Sequence, residues 1–159
     1  MRTFGSLAEL EALKGQEVAV SDWTEITQEQ VQKFADATGD HQWIHIDVER
    51  SKRESPFGGP VAHGFLTLSL LPMLMASAVK MADVKMGVNY GLNKVRFPSP
   101  VPVGSKLRAR LKLLEVEHLP APYPSGASNG AQVTWEVSIE REGGNKPVCV
   151  AESISRRYA

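Results

Sequence analysis

Residues 34–65 concentrate side chains that can move protons or bind an oxyanion. They comprise an acid that follows a glycine, three of the chain's four histidines and the glycine that opens an apolar segment: Asp40, His41, His45, His63 and Gly64. Asp40 and His45 are five residues apart across a predicted turn, so their side chains can converge on one water molecule and supply two proton transfers. Gly64 begins a predicted helix, where an unhindered backbone N–H can point at a developing oxyanion. These residue types at this spacing could therefore support acid–base catalysis beside a backbone oxyanion donor.

Each of these residues also has a purely structural interpretation. Asp40 belongs to a residue type that caps its own backbone in a turn. His45, which lies between two isoleucines in a strand-like segment, is typical of a buried core histidine. The same acid with His41, His45 and His63 also offers ligands for a metal ion. The turn predicted after Gly39 argues against a metal site, because His41 and His45 then lack the spacing of one helix face.

The same stretch resembles the hydratase 2 motif of the MaoC-like dehydratases, the (R)-specific enoyl-CoA hydratases. That motif runs Gly-Asp-X-Asn-Pro-X-His-X-Asp and is followed downstream by His-Gly. The chain matches it at Gly39, Asp40, His45, Asp47, His63 and Gly64. It departs from the motif at Gln42, in place of Asn, and at Trp43, in place of Pro. The likeness extends from the helix at residue 27 to the stretch 96–104, and it is greatest to the small single-domain branch that includes nodulation protein N-like members.

The resemblance implies a hot-dog fold, an α+β architecture in which an antiparallel sheet wraps around a long central helix. It also implies reversible hydration of trans-2-enoyl-CoA to (R)-3-hydroxyacyl-CoA, with Asp40 and His45 as the acid–base pair and Gly64 as the oxyanion donor. The substrate-binding residues that it suggests are His63, Gln42 and Trp43. It implies no metal and no cofactor apart from the coenzyme A of the substrate, which an acyl carrier protein can replace. Members of the family commonly pair, so we expect a homodimer.

Two other functions fit the same residues. A hot-dog thioesterase would use Asp40 or an activated water against the thioester carbonyl. A non-catalytic module would bind acyl thioesters with a loop that Gln42 and Trp43 have remodelled. Thioester hydrolysis would indicate the first function, and binding without turnover would indicate the second.

Length and composition restrict the class of protein. At 159 residues the chain fits a single domain, residues 1–159. Its 18 basic and 18 acidic side chains give no net charge, so we expect neither nucleic-acid binding nor attraction to an anionic membrane. The longest uncharged run, residues 64–79, has 16 residues, whereas a membrane-spanning helix needs about 20. The single cysteine, Cys149, excludes an internal disulfide, and the lack of a signal-peptide pattern favours a cytoplasmic location.

Start and stop signals define the elements that must position the candidate site. Thr27 and Gln30 form a capping box for a helix that Gly39 should end. Pro72 should kink or split the apolar helix that follows residue 64. Residues 47–60 are polar and then rich in glycine and proline, which indicates a surface loop. In the C-terminal half, apolar and polar residues alternate as in antiparallel strands that have one covered face.

One predicted strand of that sheet carries a basic face. Its basic residues alternate with apolar ones and are Lys106, Arg108, Arg110 and Lys112. We interpret them as a solvated outer face of the sheet. Binding of coenzyme A phosphates or of an acidic carrier protein is the alternative.

Overall fold

The computed structural model describes residues 1–124 and 126–159. Within these ranges the chain forms six helices and eight strands. The helices are α1 (Leu7–Glu11), α2 (Gln28–Thr38), α3 (Trp43–Ile46), α4 (Val48–Glu54), α5 (Gly64–Ser69) and α6 (Leu71–Ala78). The strands are β1 (Arg2–Phe4), β2 (Glu17–Val20), β3 (Thr24–Glu25), β4 (Val79–Met81), β5 (Met86–Arg96), β6 (Lys106–His118), β7 (Gly130–Arg141) and β8 (Cys149–Tyr158).

The main sheet is antiparallel, with strands in the order β2-β6-β7-β8-β5 and with β3 also paired to β6. The strands β1 and β4 form a separate parallel pair. Alternate residues of β6 and β7 face the core and are buried: Leu107, Ala109, Leu111, Leu113, Val133, Trp135, Val137 and Ile139. Gly143 and Gly144 lie in the connection from β7 to β8, where Gly143 adopts a φ of +73°. The prediction of an antiparallel sheet with one covered face is confirmed.

The helices α5 and α6 form the central helical segment. Leu70 separates them, as the C-terminal cap of α5 and the N-terminal cap of α6. Pro72 lies in the first turn of α6. A proline is tolerated there because the first N–H groups of a helix have no partner within the helix. The predicted split is therefore present. No helix in residues 1–124 and 126–159 is long and apolar enough to cross a bilayer.

The central segment buries one side and leaves the other side open. Leu66, Leu71 and Leu74 join the core that the sheet covers. Phe65 and Met73, on the opposite side, keep 69% and 44% of their surface exposed. A single copy of the chain therefore covers this apolar segment on one side only.

The helix α2 begins and ends where its capping residues predict. The Thr27 hydroxyl accepts the Gln30 N–H at 3.2 Å, and the Gln30 side chain accepts the Thr27 N–H at 3.0 Å. Val31 and Ala35 are buried along its inner face. Gly39 closes the helix with a φ of +78°, a left-handed conformation that favours glycine. Asp40, the residue after this cap, therefore has a defined position directly beyond the end of α2.

The surface loop predicted for residues 47–60 is wrong in its first half, which forms α4. Asp47 caps this helix by accepting the Arg50 N–H at 2.9 Å. An ion pair between Arg50 and Glu54, four residues apart, supports it. The sequence signal failed because α4 has polar residues on most sides, so it lacks the apolar periodicity that identifies a helix.

The basic face of β6 lies on the outer side of the sheet and is largely paired with acids. Arg108 and Arg110 both contact Glu140, and Lys112 lies 3.8 Å from Glu136. These contacts fit the interpretation as a solvated face better than that of an anion-binding surface. Cys149 is the first residue of β8 and is buried in the core, and burial raises the pKa of its thiol to about 11, so the thiol is unreactive at neutral pH.

Candidate active site

Asp40 directs one carboxylate oxygen to its own turn and the other to the neighbouring imidazoles. Its Oδ1 accepts the Gln42 N–H at 3.3 Å, which is the local cap that the structural interpretation expected. Its Oδ2 lies 4.0 Å from Nε2 of His63. The side chain is 51% exposed, so water reaches it. The turn therefore orients Asp40 without using all of its hydrogen-bonding capacity.

His45 is a buried imidazole, and only its Nδ1 has a hydrogen-bond partner within residues 1–124 and 126–159. It lies in the short helix α3, and the strand-like segment expected from its apolar neighbours is wrong. Its Nδ1 is 2.6 Å from the Val61 carbonyl oxygen. A carbonyl only accepts hydrogen bonds, so Nδ1 donates and the neutral ring keeps a lone pair on Nε2. This Nε2 is the atom of His45 that can accept a proton.

The surroundings of His45 favour its neutral form. Burial lowers the pKa of His45 because the imidazolium would lose its hydration, and the nearby His63 adds to this effect. The Val61 carbonyl and the Asp40 carboxylate act in the opposite direction and raise the pKa. Because burial dominates, His45 is ready to accept a proton at neutral pH, and Asp40 favours the imidazolium that results.

His63 connects Asp40 to His45. Its ring is 2% exposed and stacks on the His45 ring with centroids 3.8 Å apart, while Phe34 packs against it at 4.9 Å. Its Nε2 donates to the main-chain oxygen of Asp40 at 3.0 Å. His63 therefore holds the Asp40 backbone and the His45 ring in one arrangement. The structure brings Asp40, His45 and His63 together. One carboxylate oxygen of Asp40 and one ring nitrogen of each histidine all lie within 4.8 Å of one another.

Gly64 is the first residue of α5 and lies directly after His63. His63, the N-terminal cap, makes no side-chain hydrogen bond to the first turn, so this turn has N–H groups for which the helix has no internal partner. The ring of Phe97 lies close to Gly64, since a Cβ built at this position would be 3.0 Å from the ring. Glycine thus fits a narrow space and keeps the backbone accessible.

The other two predicted substrate-binding residues lie at the outer edge of the site. Gln42 is exposed, and its main chain donates to Asp40. Trp43 is partly buried beneath the Arg50 guanidinium, which lies 4.3 Å above its ring. The substrate-binding role of Gln42 and Trp43 remains a prediction, because these contacts orient the loop and involve no substrate.

Main-chain contacts that the sequence analysis missed hold the loop before His63. The Val61 N–H donates to the Ile44 carbonyl at 3.0 Å, and the Ala62 N–H donates to the Val101 carbonyl at 2.8 Å. These bonds join the loop to α3 on one side and to the stretch 96–104 on the other. Backbone groups carry no residue-type signal, so nothing in the sequence analysis indicated this support.

Two cavities lie near the central helical segment. The smaller, of about 280 Å³, is lined by Gly64, Phe97, Val148 and neighbouring residues. The larger, of about 1010 Å³, lies between the helical segment and the sheet. Within residues 1–124 and 126–159, the walls of both cavities lack Asp40, His45 and His63. The imidazoles lie directly behind the wall of the smaller cavity, because His45 contacts Val61 and His63 precedes Gly64.

Comparison with known proteins places this arrangement in a family. The chain matches the MaoC like domain family over residues 9–121. It is 54% identical to 3-hydroxyacyl-thioester dehydratase Z of Mycobacterium tuberculosis over 160 residues, with 100% of both chains covered. It is 46% identical to nodulation protein N of Rhizobium leguminosarum bv. viciae, covering 94% of this chain and 89% of that one.

A solved structure supports the fold independently. The (R)-hydratase PhaJ1 from Pseudomonas aeruginosa superposes with a TM-score of 0.66 at 23% identity, over 89% of this chain and 79% of that one. A Mycobacterium tuberculosis protein whose solved structure has a double hot-dog fold also matches, with a TM-score of 0.66 at 16% identity over 92% of this chain and 42% of that one, so the predicted hot-dog fold is confirmed. With a match that spans most of the chain and a full-length relative above half identity, the chain belongs to the MaoC-like dehydratase family.

Proposed function

We propose that the chain reversibly hydrates trans-2-enoyl thioesters to (R)-3-hydroxyacyl thioesters. The observation that carries the proposal is the convergence of Asp40, His45 and His63 within 4.8 Å, directly before the helix start at Gly64. The relative that is 54% identical over its full length is named a 3-hydroxyacyl-thioester dehydratase, which supports the same reaction. The thioester carrier is coenzyme A or an acyl carrier protein. The lone buried cysteine is in keeping with the cytoplasm as its location.

Asp40 and His45 act as the acid–base pair. His45 Nε2 accepts a proton from a water molecule that also contacts the Asp40 carboxylate, and the water oxygen bonds to C3 of the substrate. The π electrons of the double bond move to the thioester oxygen and form an enolate. Asp40 and His45 then return one proton to C2, so the two residues hold the same number of protons at the end of the reaction as at its start. The Asp40 carboxylate stabilises the transient imidazolium.

Gly64 binds the oxygen on which the enolate charge develops. Its N–H belongs to the unpaired first turn of α5, where the helix dipole also favours negative charge. Such donors matter most in the transition state, because the thioester oxygen carries more charge there than in the substrate. In this mechanism His63 positions the pair, and Gln42 and Trp43 border the path by which the substrate enters.

The pH dependence of kcat/KM tests the role of His45. The mechanism requires a neutral imidazole, so activity should fall as pH decreases through the pKa of His45. Because burial lowers that pKa, the midpoint should lie below the usual 6.5 of histidine. A rate profile on crotonyl-CoA measures it, and a midpoint above 6.5 would contradict the assignment.

The reaction should need no metal ion. The same three residues offer donor atoms close enough for a divalent ion. However, the His45 and His63 rings are stacked with centroids 3.8 Å apart and only 26° between their planes, so their lone pairs lie in two separate, nearly parallel planes, an arrangement poorly suited to binding one ion. Exhaustive chelation followed by assay in metal-free buffer should leave kcat unchanged. A loss that zinc restores would overturn this part of the proposal.

The chain should form a homodimer through β5 and the open side of the central segment. The edge strand β5 has eleven residues and is exposed on both faces, with Val88, Tyr90 and Leu92 each more than 40% exposed. Long apolar edges of this kind are normally covered or paired. A second copy would cover both this edge and the exposed Phe65 and Met73.

Light scattering at micromolar concentration should give twice the chain mass of 17.4 kDa. Val88→Glu should shift the mass to the monomer, since it introduces a charge on the apolar edge. Trp23→Glu is the matched control, because Trp23 is a similarly exposed apolar residue near the opposite edge of the sheet. Monomer for the unmodified chain, or equal effects of both substitutions, would refute the interface.

An absorbance assay tests the proposed reaction. Purified protein on crotonyl-CoA and longer enoyl-CoAs should remove the absorbance of the conjugated double bond and yield the (R)-alcohol without releasing free thiol. Free thiol in step with substrate loss would instead identify a thioesterase. Saturable binding with neither change would identify a binding module.

A further inference from the structure

The short helix α3, which carries His45, depends on its surroundings. It has four residues, and no side chain caps its first turn. A helix of this length is unstable by itself, because its first turn costs more conformational entropy than its hydrogen bonds return. Groups from other elements bind its carbonyl oxygens instead. The Ser51 hydroxyl of α4 donates to Trp43 at 3.1 Å, and the Val61 N–H donates to Ile44 at 3.0 Å.

A third donor, the side chain of Gln28, acts on His45 itself. Gln28 is the first residue of α2, and its Nε2 donates to the His45 carbonyl oxygen at 2.8 Å. A carbonyl only accepts hydrogen bonds, so the amide must present its NH₂ group there. The Val61 carbonyl binds the ring of the same histidine at Nδ1. Gln28 thus holds the backbone of His45 while Val61 holds its ring.

Helix α2 connects this contact to the other member of the acid–base pair. Gln28 lies at its start, and Asp40 directly follows the Gly39 cap at its other end. Both ends of α2 are capped by groups other than the Gln28 side chain, so the helix does not need this contact for its own length. The bond from Gln28 to His45 sets the position of α3 along α2. It therefore sets where His45 lies relative to Asp40.

The other polar atom of the Gln28 amide shows that stability alone does not account for this residue. Gln28 Oε1 is buried and has no hydrogen-bond partner within residues 1–124 and 126–159. A buried acceptor without a partner is destabilising. A hydrocarbon side chain of the same length would avoid this cost. The NH₂ group that binds His45 is the feature that only the amide supplies.

We propose that Gln28 is a positioning residue of the active site, whose amide holds His45 in place beside Asp40. The inference rests on the proposed acid–base role of His45 and Asp40. Gln28 acts through the His45 backbone and does not itself exchange a proton. Every contact that carries the inference lies within one copy of the chain, so the inference does not depend on whether two copies pair.

Gln28→Met tests the inference by kinetics. Methionine matches glutamine in length and helix propensity but has no N–H donor. On crotonyl-CoA, kcat should fall roughly 10- to 100-fold, as expected when a reacting group is misplaced by up to about 1 Å. KM should change much less, because the contact acts on the transition state through His45. Thermal stability should change little, because the lost hydrogen bond is offset by removal of the buried Oε1.

Two further variants make the kinetic test specific. Gln28→Glu keeps the shape of the side chain, but an ionised carboxylate has no donor, so kcat should fall at least as far as in Gln28→Met. Gln32→Met makes the same change one turn further along α2. The Gln32 amide is exposed and donates to Asp36 at 3.0 Å, so this control should keep full activity.

Nitrogen NMR of the histidine rings gives a readout that needs no substrate. In the unmodified chain, neutral His45 should carry its hydrogen on Nδ1, because the Val61 carbonyl accepts it. In Gln28→Met the two tautomers should become mixed as the ring loses this alignment, and in Gln32→Met they should not. The signal that disappears in His45→Gln identifies His45.

Four results would overturn the inference. They are full kcat in Gln28→Met, full kcat in Gln28→Glu, a His45 tautomer that is unchanged in Gln28→Met, and a large fall in the thermal stability of Gln28→Met, which would indicate a merely structural role. Failure of the proposed function is distinguishable from these results. In that case the unmodified chain does not hydrate crotonyl-CoA, whereas the tautomer comparison still tests whether Gln28 positions His45.

Discussion

Asp40→Asn and His45→Gln should each lower kcat by roughly 10²- to 10⁴-fold, the usual range for loss of a general acid or base. Both substitutions keep the shape of the side chain and remove its ability to exchange a proton with water. KM should change much less, because the two groups act mainly on the transition state. Steady-state kinetics on crotonyl-CoA measures both parameters.

The double variant and a neighbouring histidine make this test specific. The fold-decrease in kcat of the double variant should be far smaller than the product of the two single decreases, since the effects of residues that act as a unit are not additive. His41→Ala is the control. His41 is half exposed and its Nε2 contacts Asp36 at 3.0 Å, away from the cluster. Near-full activity in Asp40→Asn, or equal damage from His41→Ala and His45→Gln, would refute the pair.

The kcat of Gly64→Pro should be roughly 10²- to 10³-fold lower than that of Gly64→Ala, which is the usual effect of losing one oxyanion donor. Proline removes the N–H, whereas alanine keeps it, and both introduce a Cβ next to Phe97. The ratio of the two variants therefore isolates the N–H from the steric effect. Proline suits the first position of a helix, and His63 already has the extended φ of −59° and ψ of 139° that a following proline requires.

The contact with Phe97 supplies a further control. Phe97→Leu should partly restore Gly64→Ala, because it relieves the crowding of the new Cβ. It should not restore Gly64→Pro, which lacks the donor. Equal rates for the alanine and proline variants, with matched thermal stability, would rule out the Gly64 N–H as the oxyanion donor.

The fold was predictable wherever a signal was local and periodic. Thr27 and Gln30 set the start of α2 through their own side chains, and Gly39 ends it because few other residues adopt a positive φ. The alternation along β6 and β7 predicted both the strands and their buried face. The motif spacing brought Asp40 and His45 to attention for a different reason, and their catalytic role stays a prediction.

Features that depend on long-range contacts were not predictable. The Val61 carbonyl that orients His45 is a backbone group, and any residue type would supply it. The helix α4 was missed for another reason: its stabilising contacts, the Asp47 cap and the Arg50–Glu54 ion pair, are local, but it has no apolar face to reveal it. The larger cavity forms only where β5, β7 and β8 meet the central helical segment, so no single stretch of sequence indicates it.

The most direct measurement is the fate of the oxygen of water. We would incubate the protein with crotonyl-CoA in ¹⁸O-labelled water and analyse the products by mass spectrometry. Hydration by Asp40 and His45 predicts that the label enters the 3-hydroxyl group while coenzyme A stays attached, and that Asp40→Asn slows this incorporation. Label in the carboxylate of a free acid, with coenzyme A released, would contradict the proposed function.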